Sequence, residues 1–198
     1  MTRATPRDQL LAWIAEDDAT RERLARDGSL FTAGYHPEMA AVHRTNADRL
    51  AGLIAANGGA WPARAQVGAD GASAAWRIAQ HAIGEPARMR AWLPLVQAAA
   101  ATGDANPAEV AMLEDRIRVL EGRPQRYGTQ YDWNATGDAM VPMMVVEDPD
   151  GIDERRRAVG LPAMEWRRPP PPGEPPPADP AARARELEAW ARSVGWRS

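Results

Sequence analysis

The sequence contains no cysteine and no lysine, so all 24 of its basic residues are arginine. Without cysteine the chain cannot form a disulfide, a thiolate nucleophile, a zinc–thiolate site or an iron–sulfur cluster. Without lysine it has neither a Schiff-base residue nor the lysine of a phosphate-binding P-loop. Several large classes of enzyme chemistry are therefore excluded before any motif is considered.

The chain also lacks a strong positive charge and a long apolar run. Its formal net charge is −3, whereas proteins that bind nucleic acid over a broad surface need a basic face that releases counterions. The apolar run at residues 10–15 ends at Glu16 and is too short for a signal peptide or a membrane span. We therefore expect a cytoplasmic protein that binds neither nucleic acid nor membranes.

The length of 198 residues suits one sizeable core with an appendage. We expect a helical domain with a β-hairpin at residues 1–166, a proline-rich linker at 167–180 and an amphipathic helix at 181–198. The linker is typical of a semi-rigid polyproline II spacer, which cannot join a core. The last helix carries Leu187, Trp190 and Val194 on one face, and this face must dock on its own domain or on a partner protein.

Caps and prolines predict five core helices, at about residues 6–26, 37–57, 70–83, 86 onward and 107–122. Pro94 is expected to kink or end the fourth. Aromatic and polar residues alternate from 125 to 133 with the period of a strand, and a second strand at 140–146 would lie at an edge because of Pro142. A short helix at about 152–159 follows. The predicted fold is mainly α (α+β), with a small β-hairpin near 125–146.

Polar side chains interrupt the apolar faces of three predicted helices. His43 and Asn46 fall inside the stripe of the second helix, and His81 flanks that of the third beside Ile78. Buried imidazoles and amides need hydrogen-bond partners. These residues therefore form either a closed network in the core or the wall of a pocket that carries a histidine with a near-neutral pKa.

The fifth helix places Arg116 at the edge of its apolar stripe, while Asp115 is predicted to point away. An arginine in that position extends to solvent, pairs with an acid or holds an anionic ligand. No metal site is predicted, because the three histidines do not place two ligands one turn apart on a common helix face. His36 directly precedes Pro37 and is interpreted as a helix cap. No cofactor is expected.

Residues 36–165 resemble an uncharacterised bacterial family that is known only as a domain of unknown function. The pieces that carry the resemblance are His43-Arg44-Thr45-Asn46, Trp61-Pro62, Val67-Gly68, Ala75-Trp76, Gln80-His81-Ala82, Asp115-Arg116, Gly122-Arg123-Pro124-Gln125-Arg126-Tyr127-Gly128-Thr129-Gln130, Glu147-Asp148-Pro149, Asp153-Glu154-Arg155-Arg156 and Val159-Gly160-Leu161-Pro162. The resemblance implies a shared fold and brings no established activity. The polar residues that belong to the family pattern are His43, Asn46, Gln80, His81, Arg116, Tyr127, Thr129 and Gln130.

Our leading hypothesis is that these polar residues meet in one pocket of an enzyme. His43 and His81 would be the catalytic acid/base residues, Arg116 would hold a carboxylate, and Asn46 or Gln80 would orient the substrate. Strand alternation would let either Gly128 with Gln130 or Tyr127 with Thr129 face the ligand. Hydrolysis or a lyase-type proton transfer on a small carboxylate or peptide would suit this set.

The alternative is a non-catalytic interaction module that binds a protein partner through the proline-rich linker and the C-terminal helix. The two hypotheses differ in what they require of the histidines. Shared acid/base work requires His43 and His81 to lie within about 10 Å of each other, whereas a docking module places no condition on them.

Overall fold

Five α-helices form the core in the computed structural model, which describes residues 4–31 and 34–198. They are α1 (Pro6–Arg26), α2 (Pro37–Ala56), α3 (Arg64–His81), α4 (Pro86–Ala101) and α5 (Pro107–Leu120). Two strands follow, β1 (Tyr131–Trp133) and β2 (Met140–Pro142), and then α6 (Ile152–Ala158) and α7 (Pro180–Ser193). The predicted mainly α fold with a small β-hairpin is confirmed.

The helices α1, α2 and α5 begin where their capping residues predict. Thr5 accepts a hydrogen bond from the backbone N–H of Asp8 (3.2 Å), and Asn106 accepts one from Ala108 (3.0 Å). The expected His36 cap is confirmed, because its Nδ1 accepts from the N–H of Glu38 at 3.2 Å. Each cap satisfies a backbone donor that the first helical turn leaves without a partner.

Two helices differ in detail from the sequence-based expectation. α3 spans Arg64–His81 but is interrupted at Gly68, whose φ of +74° is non-helical and is adopted easily only by glycine. A short helical segment from Arg64 therefore precedes the predicted third helix, which begins after Gly68, close to the expected residue 70. α4 runs past Pro94 to Ala101. Proline removes only one helical hydrogen bond, and the buried side chains of Met89 and Val96 on either side keep this helix packed on the core.

The β-hairpin is shorter than predicted. β1 and β2 are antiparallel three-residue strands that pair Asp132 with Val141 at their centre. Residues 125–130 form a loop and not the predicted strand, because Asp115 accepts hydrogen bonds from the backbone N–H groups of Arg126, Tyr127 and Thr129. Those donors would otherwise bond to a neighbouring strand.

The central helix of the core is α3, which packs against α1 and α2 and also against α4 and α5. α7 packs back onto this bundle. Its Ala191 is fully buried, and beyond the helix Trp196 is 3% exposed and donates from Nε1 to the carbonyl of Ile83 at 2.7 Å. Among the described residues, no helix combines the length and the apolar character that a membrane crossing requires.

Candidate functional site

Three helices bring an aspartate and two histidines together at the edge of the core. Asp17 on α1 is 1% exposed, and its two carboxylate oxygens contact different imidazoles. Oδ1 lies 3.3 Å from His43 Nε2 on α2, and Oδ2 lies 2.7 Å from His81 Nδ1 at the end of α3. The two rings are 5.0 Å apart between centroids, well within the distance that shared acid/base work requires.

The hydrogen bonds define where the protons of this cluster reside. The hydroxyl of Tyr35 lies 2.5 Å from His43 Nδ1 and donates to it, so His43 carries its proton on Nε2 and donates that proton to Asp17. His81 donates from Nδ1 to Asp17. Its Nε2 has no hydrogen-bond partner among the residues that the structure describes, which leaves a lone pair available to a ligand.

The pKa directions agree with a charged Asp17 carboxylate beside a neutral His81 ring. Burial alone would raise the pKa of Asp17, but the hydrogen bonds from His43 and His81 outweigh it and lower this pKa below its usual range. Burial lowers the pKa of His81 by more than Asp17 raises it. Burial and the nearby Asp17 charge both raise the pKa of Tyr35, which therefore remains a proton donor. At neutral pH His81 is a base and not a cation.

A cavity of about 700 Å³ opens beside this cluster, and we call it the α3–α5 cavity. It is enclosed by α3, α5, the loop that leads into β1, and α7. Its lining includes Tyr35, Trp76, Gln80, His81, Met112, Arg116, Thr129, Gln130, Leu187 and Trp190. His43 lies outside it and lines a smaller recess together with Tyr35 and Glu85. Of the two predicted acid/base residues, only His81 therefore faces the larger cavity.

Arg116 extends into the α3–α5 cavity without a partner. It forms no hydrogen bond or ion pair with any residue in the described part of the chain, and its Nε is buried and unsatisfied. Burial lowers its pKa to about 10, so it remains a cation at neutral pH. Arg116 is partly buried, and a charge withdrawn from water without a partner is costly, which makes this arginine the strongest indication of an anionic ligand.

The loop from 125 to 130 is held rigidly beside the cavity by three buried polar side chains. Asp115 accepts from backbone N–H groups and from the Thr129 hydroxyl at 3.0 Å. Gln125 accepts from the N–H of Gln130 at 2.8 Å, and Arg156 donates to the carbonyl of Tyr127 at 2.5 Å. Because side chains supply hydrogen-bond partners to these backbone groups, the loop keeps its conformation without a strand partner.

Two predictions about this region are wrong. Asp115 does not point away from the core but is 0% exposed, because it satisfies the loop's backbone donors. Strand alternation does not apply to residues 127–130, and the consecutive residues Thr129 and Gln130 both line the cavity. Tyr127 does not line it; its ring instead lies 5.7 Å from the guanidinium of Arg126.

Asn46 is buried but also lies away from the α3–α5 cavity. Its Nδ2 donates to the carbonyl of Trp13 at 3.0 Å, and its Oδ1 accepts from Arg49 at 3.0 Å. It therefore ties α2 to α1 as a satisfied core amide.

Sequence reasoning missed Asp17, Tyr35 and Trp190. A signal for Asp17 was present, because it follows Leu10 by seven residues and Ile14 by three and so shares their helix face. Tyr35 lies in an irregular segment, and periodicity carries no information about its direction. Trp190 was assigned to a docking face, and its contact with Tyr35, at 5.6 Å between ring centroids, depends on tertiary structure.

Asp17, His43 and His81 could also hold a metal ion, since one ligand atom from each lies within 4.8 Å of the others. A carboxylate with two imidazoles is a common ligand set for divalent transition metals. A metal would replace both N–H protons that now bridge to Asp17, so binding would release protons. The two imidazole nitrogens that face Asp17, His43 Nε2 and His81 Nδ1, are already hydrogen-bonded to its carboxylate.

Comparison with known proteins gives one family and no characterised relative. Residues 6–168 match the model of a family of unknown function, DUF6624. No curated protein matches the chain, and no solved structure does. The matched range includes Asp17, His43, His81 and Arg116, and it ends before α7.

Proposed function

Because the chain belongs to DUF6624, a family of unknown function, we propose its activity from the site itself: it is an enzyme in which His81 acts as general acid/base on a small anionic substrate. The observation that carries the proposal is the pairing of His81 Nδ1 with Asp17 at 2.7 Å, which leaves Nε2 without a partner at the wall of a cavity that also holds Arg116.

Asp17 is a positioning residue in this proposal. A carboxylate on Nδ1 fixes the tautomer that leaves Nε2 unprotonated, and it stabilises the imidazolium that forms when Nε2 takes up a proton. His43 donates to the second carboxylate oxygen, and the Tyr35 hydroxyl holds His43 in place, so both oxygens of the carboxylate have a partner. His43 therefore has a supporting role, in contrast to the shared catalytic role predicted from the sequence.

Two types of reaction are open to a base that accepts a proton at His81 Nε2. In a hydrolysis, His81 removes a proton from water as the oxygen attacks the acyl carbon, and it returns the proton to the leaving group when the acyl bond breaks. In a lyase reaction His81 removes a proton from the carbon next to the carboxylate. The electron pair of that C–H bond forms a carbon–carbon double bond as the bond from the next carbon to the leaving group breaks, and the protonated ring donates its proton to the leaving group. In both cases Arg116 holds the substrate carboxylate and fixes the distance to Nε2.

Burial of the α7 face argues against the alternative, an interaction module that works through the C-terminal helix. Ala191 is fully buried and Trp196 is 3% exposed against the helical bundle. A docking helix must present its apolar face to a partner. Trp190, Ala191 and Val194 pack against the core, while Leu187 and Trp190 border the α3–α5 cavity. The apolar face of α7 is therefore turned toward its own domain, and the enzyme hypothesis is the one we retain.

The test uses the purified full-length chain and a panel of small carboxylates, acyl amino acids and dipeptides, with products followed by mass spectrometry. We expect turnover of at least one member, reduced roughly 100-fold or more in His81→Gln. His36→Gln is the matched control, because His36 caps α2 and lies outside the cavity. Equal turnover by His81→Gln and wild type, or no turnover of any panel member by the wild type, contradicts the proposal.

A further inference from the structure

Several buried polar atoms of the α3–α5 cavity have no partner among the described residues. Among the cavity residues, such atoms belong to Trp76, Gln80, Arg116 and Arg168. Arg168 is compensated by an ion pair with Glu165 at 2.9 Å. The remaining three atoms are the Nε1 donor of Trp76, the Oε1 acceptor of Gln80 and the Nε donor of Arg116. Native proteins leave few such atoms unsatisfied, so three around one cavity indicate that a ligand supplies their partners.

These three groups belong to one connected wall. Trp76 and Gln80 are four residues apart on α3 and so lie on the same helix face, directly before His81. Gln80 Nε2 donates to the carbonyl of Met112 at 3.5 Å, which fixes its Oε1 as the free end of the amide. Met112 in turn precedes Arg116 by four residues on α5. The residues that carry the free donors, the free acceptor and the proposed base therefore line one cavity from two neighbouring helices.

The pattern of donors and acceptors restricts the ligand. The N–H groups of Arg116 and Trp76 require an acceptor, and a carboxylate provides two oxygens. The free oxygen of Gln80 requires an N–H or O–H donor on the same ligand. Other arginines at the cavity are already neutralised, since Arg77 pairs with Asp18 and Arg183 pairs with Asp132 at 3.2 Å. Arg116 is thus the cation that a ligand carboxylate would meet.

The C-terminal helix contributes apolar side chains to the cavity, next to its charged residues Arg183 and Glu186. Leu187 and Trp190 of α7 line it, and Trp190 packs edge-on against Tyr35, whose hydroxyl bonds to His43. The match to the family model ends at residue 168, before this helix. The apolar wall is therefore an addition of the C-terminal segment to the site, and it gives a hydrophobic side chain a place to bind.

We infer that the α3–α5 cavity binds an N-acylated apolar amino acid, with the carboxylate on Arg116, the amide N–H on Gln80 and the side chain against Leu187 and Trp190. This inference names the substrate class of the proposed acid/base site and rests on that proposed function. The same groups would recognise the carboxyl-terminal residue of a short peptide, which has the same carboxylate, amide and side chain.

Binding is tested by isothermal titration calorimetry with four probes that remove one feature at a time. N-acetyl-L-leucine has all three features, N-acetyl-L-leucinamide lacks the carboxylate, 4-methylpentanoate lacks the amide and N-acetylglycine lacks the side chain. We expect the complete probe to bind most tightly, with losses of roughly 10-fold or more for the carboxylate and about 5- to 10-fold for each other feature.

Each feature is assigned to a residue by a matched variant. Arg116→Gln should bind N-acetyl-L-leucine and its amide equally well. Gln80→Met should lose the preference for N-acetyl-L-leucine over 4-methylpentanoate. Leu187→Ala should lose the preference for N-acetyl-L-leucine over N-acetylglycine. Arg21→Gln, on the exposed face of α1, is the control and should keep all three preferences. Circular dichroism of each variant checks that it is folded.

The outcomes separate this inference from the acid/base proposal. If N-acetyl-L-leucine, 4-methylpentanoate and N-acetylglycine bind equally and all bind more tightly than N-acetyl-L-leucinamide, the ligand class is overturned while a carboxylate site beside His81 still stands. Equal affinity for all four probes, or a preference over the amide that survives Arg116→Gln, overturns the carboxylate site as well. If neither these probes nor acetate nor formate binds, the ligand class and the proposed function both fail.

Discussion

Replacing Asp17 with asparagine removes the charge that organises both histidines while keeping the side-chain volume. The carboxylate accepts one short hydrogen bond, at 2.7 Å from His81, and one long one, at 3.3 Å from His43. An asparagine oxygen can accept only one of them in the present arrangement, and its amide would face the other N–H. One of the two hydrogen bonds from the histidines is therefore lost whichever way the amide is turned.

The cost follows from these two distances. A hydrogen bond to a charged group contributes about 1.5–3 kcal/mol and a weaker one about 0.5–1 kcal/mol, so we expect a loss of roughly 2–4 kcal/mol. This corresponds to a fall in Tm of roughly 5–15 °C for a chain of this size. The matched control is Asp18→Asn, since Asp18 forms a half-exposed ion pair with Arg77 and should cost no more than about 1 kcal/mol.

The same substitution should change the titration of His81. Asp17 raises the pKa of His81 against the effect of burial, so Asp17→Asn should lower this pKa further. In the wild type the pKa of Asp17 is lowered, so its contribution is fully present above the unfolded value of about 3.9 and is lost as the pH falls through the folded value. The difference in unfolding free energy between the two proteins should therefore be retained at neutral pH and narrow in strong acid.

Denaturant unfolding and NMR titration of the histidine rings together measure both effects. A stability loss for Asp17→Asn no greater than that for Asp18→Asn would refute the energetic reasoning. An unchanged or raised pKa of His81 in Asp17→Asn would refute the electrostatic reasoning.

Three further predictions concern the fold and the cavity. Arg116→Met should leave thermal stability unchanged or raise it by up to about 2 kcal/mol, because a buried unpaired cation is removed, and calorimetry of unfolding checks this; a loss of stability would contradict it. Gly68→Ala should cost about 1–2 kcal/mol because φ is +74°, whereas Gly52→Ala, in an open helical position, should stabilise by about 0.5–1 kcal/mol; equal effects would contradict this account. Trp196→Ala should cost about 3–5 kcal/mol and expose α7 to limited proteolysis, and a protected α7 would contradict its anchoring role.

Periodicity and capping predict the helices well because each signal is local. Thr5, His36 and Asn106 mark helix starts that the structure confirms. The β-hairpin was predicted too long because the backbone donors of residues 126–129 bond to Asp115, a partner one helix earlier in the chain. No local pattern reveals such a partner.

The candidate site could be predicted only in part. The inward direction of His43 follows from its helix face, and the two histidines are indeed close. Asp17 shares a face with Leu10 and Ile14, but its place in an acidic run suggests a solvated surface. That His81 faces the α3–α5 cavity while His43 does not depends on how α7 and Tyr35 close the site, which is tertiary information.

The most direct measurement of the central claim is the tautomer of His81, read from long-range nitrogen–proton NMR correlations of the full-length chain near pH 7.5. We expect a neutral ring with the proton on Nδ1 and an unprotonated Nε2, whose signal shifts when N-acetyl-L-leucine is added. A neutral ring with the proton on Nε2, or a doubly protonated ring at this pH, would contradict the account.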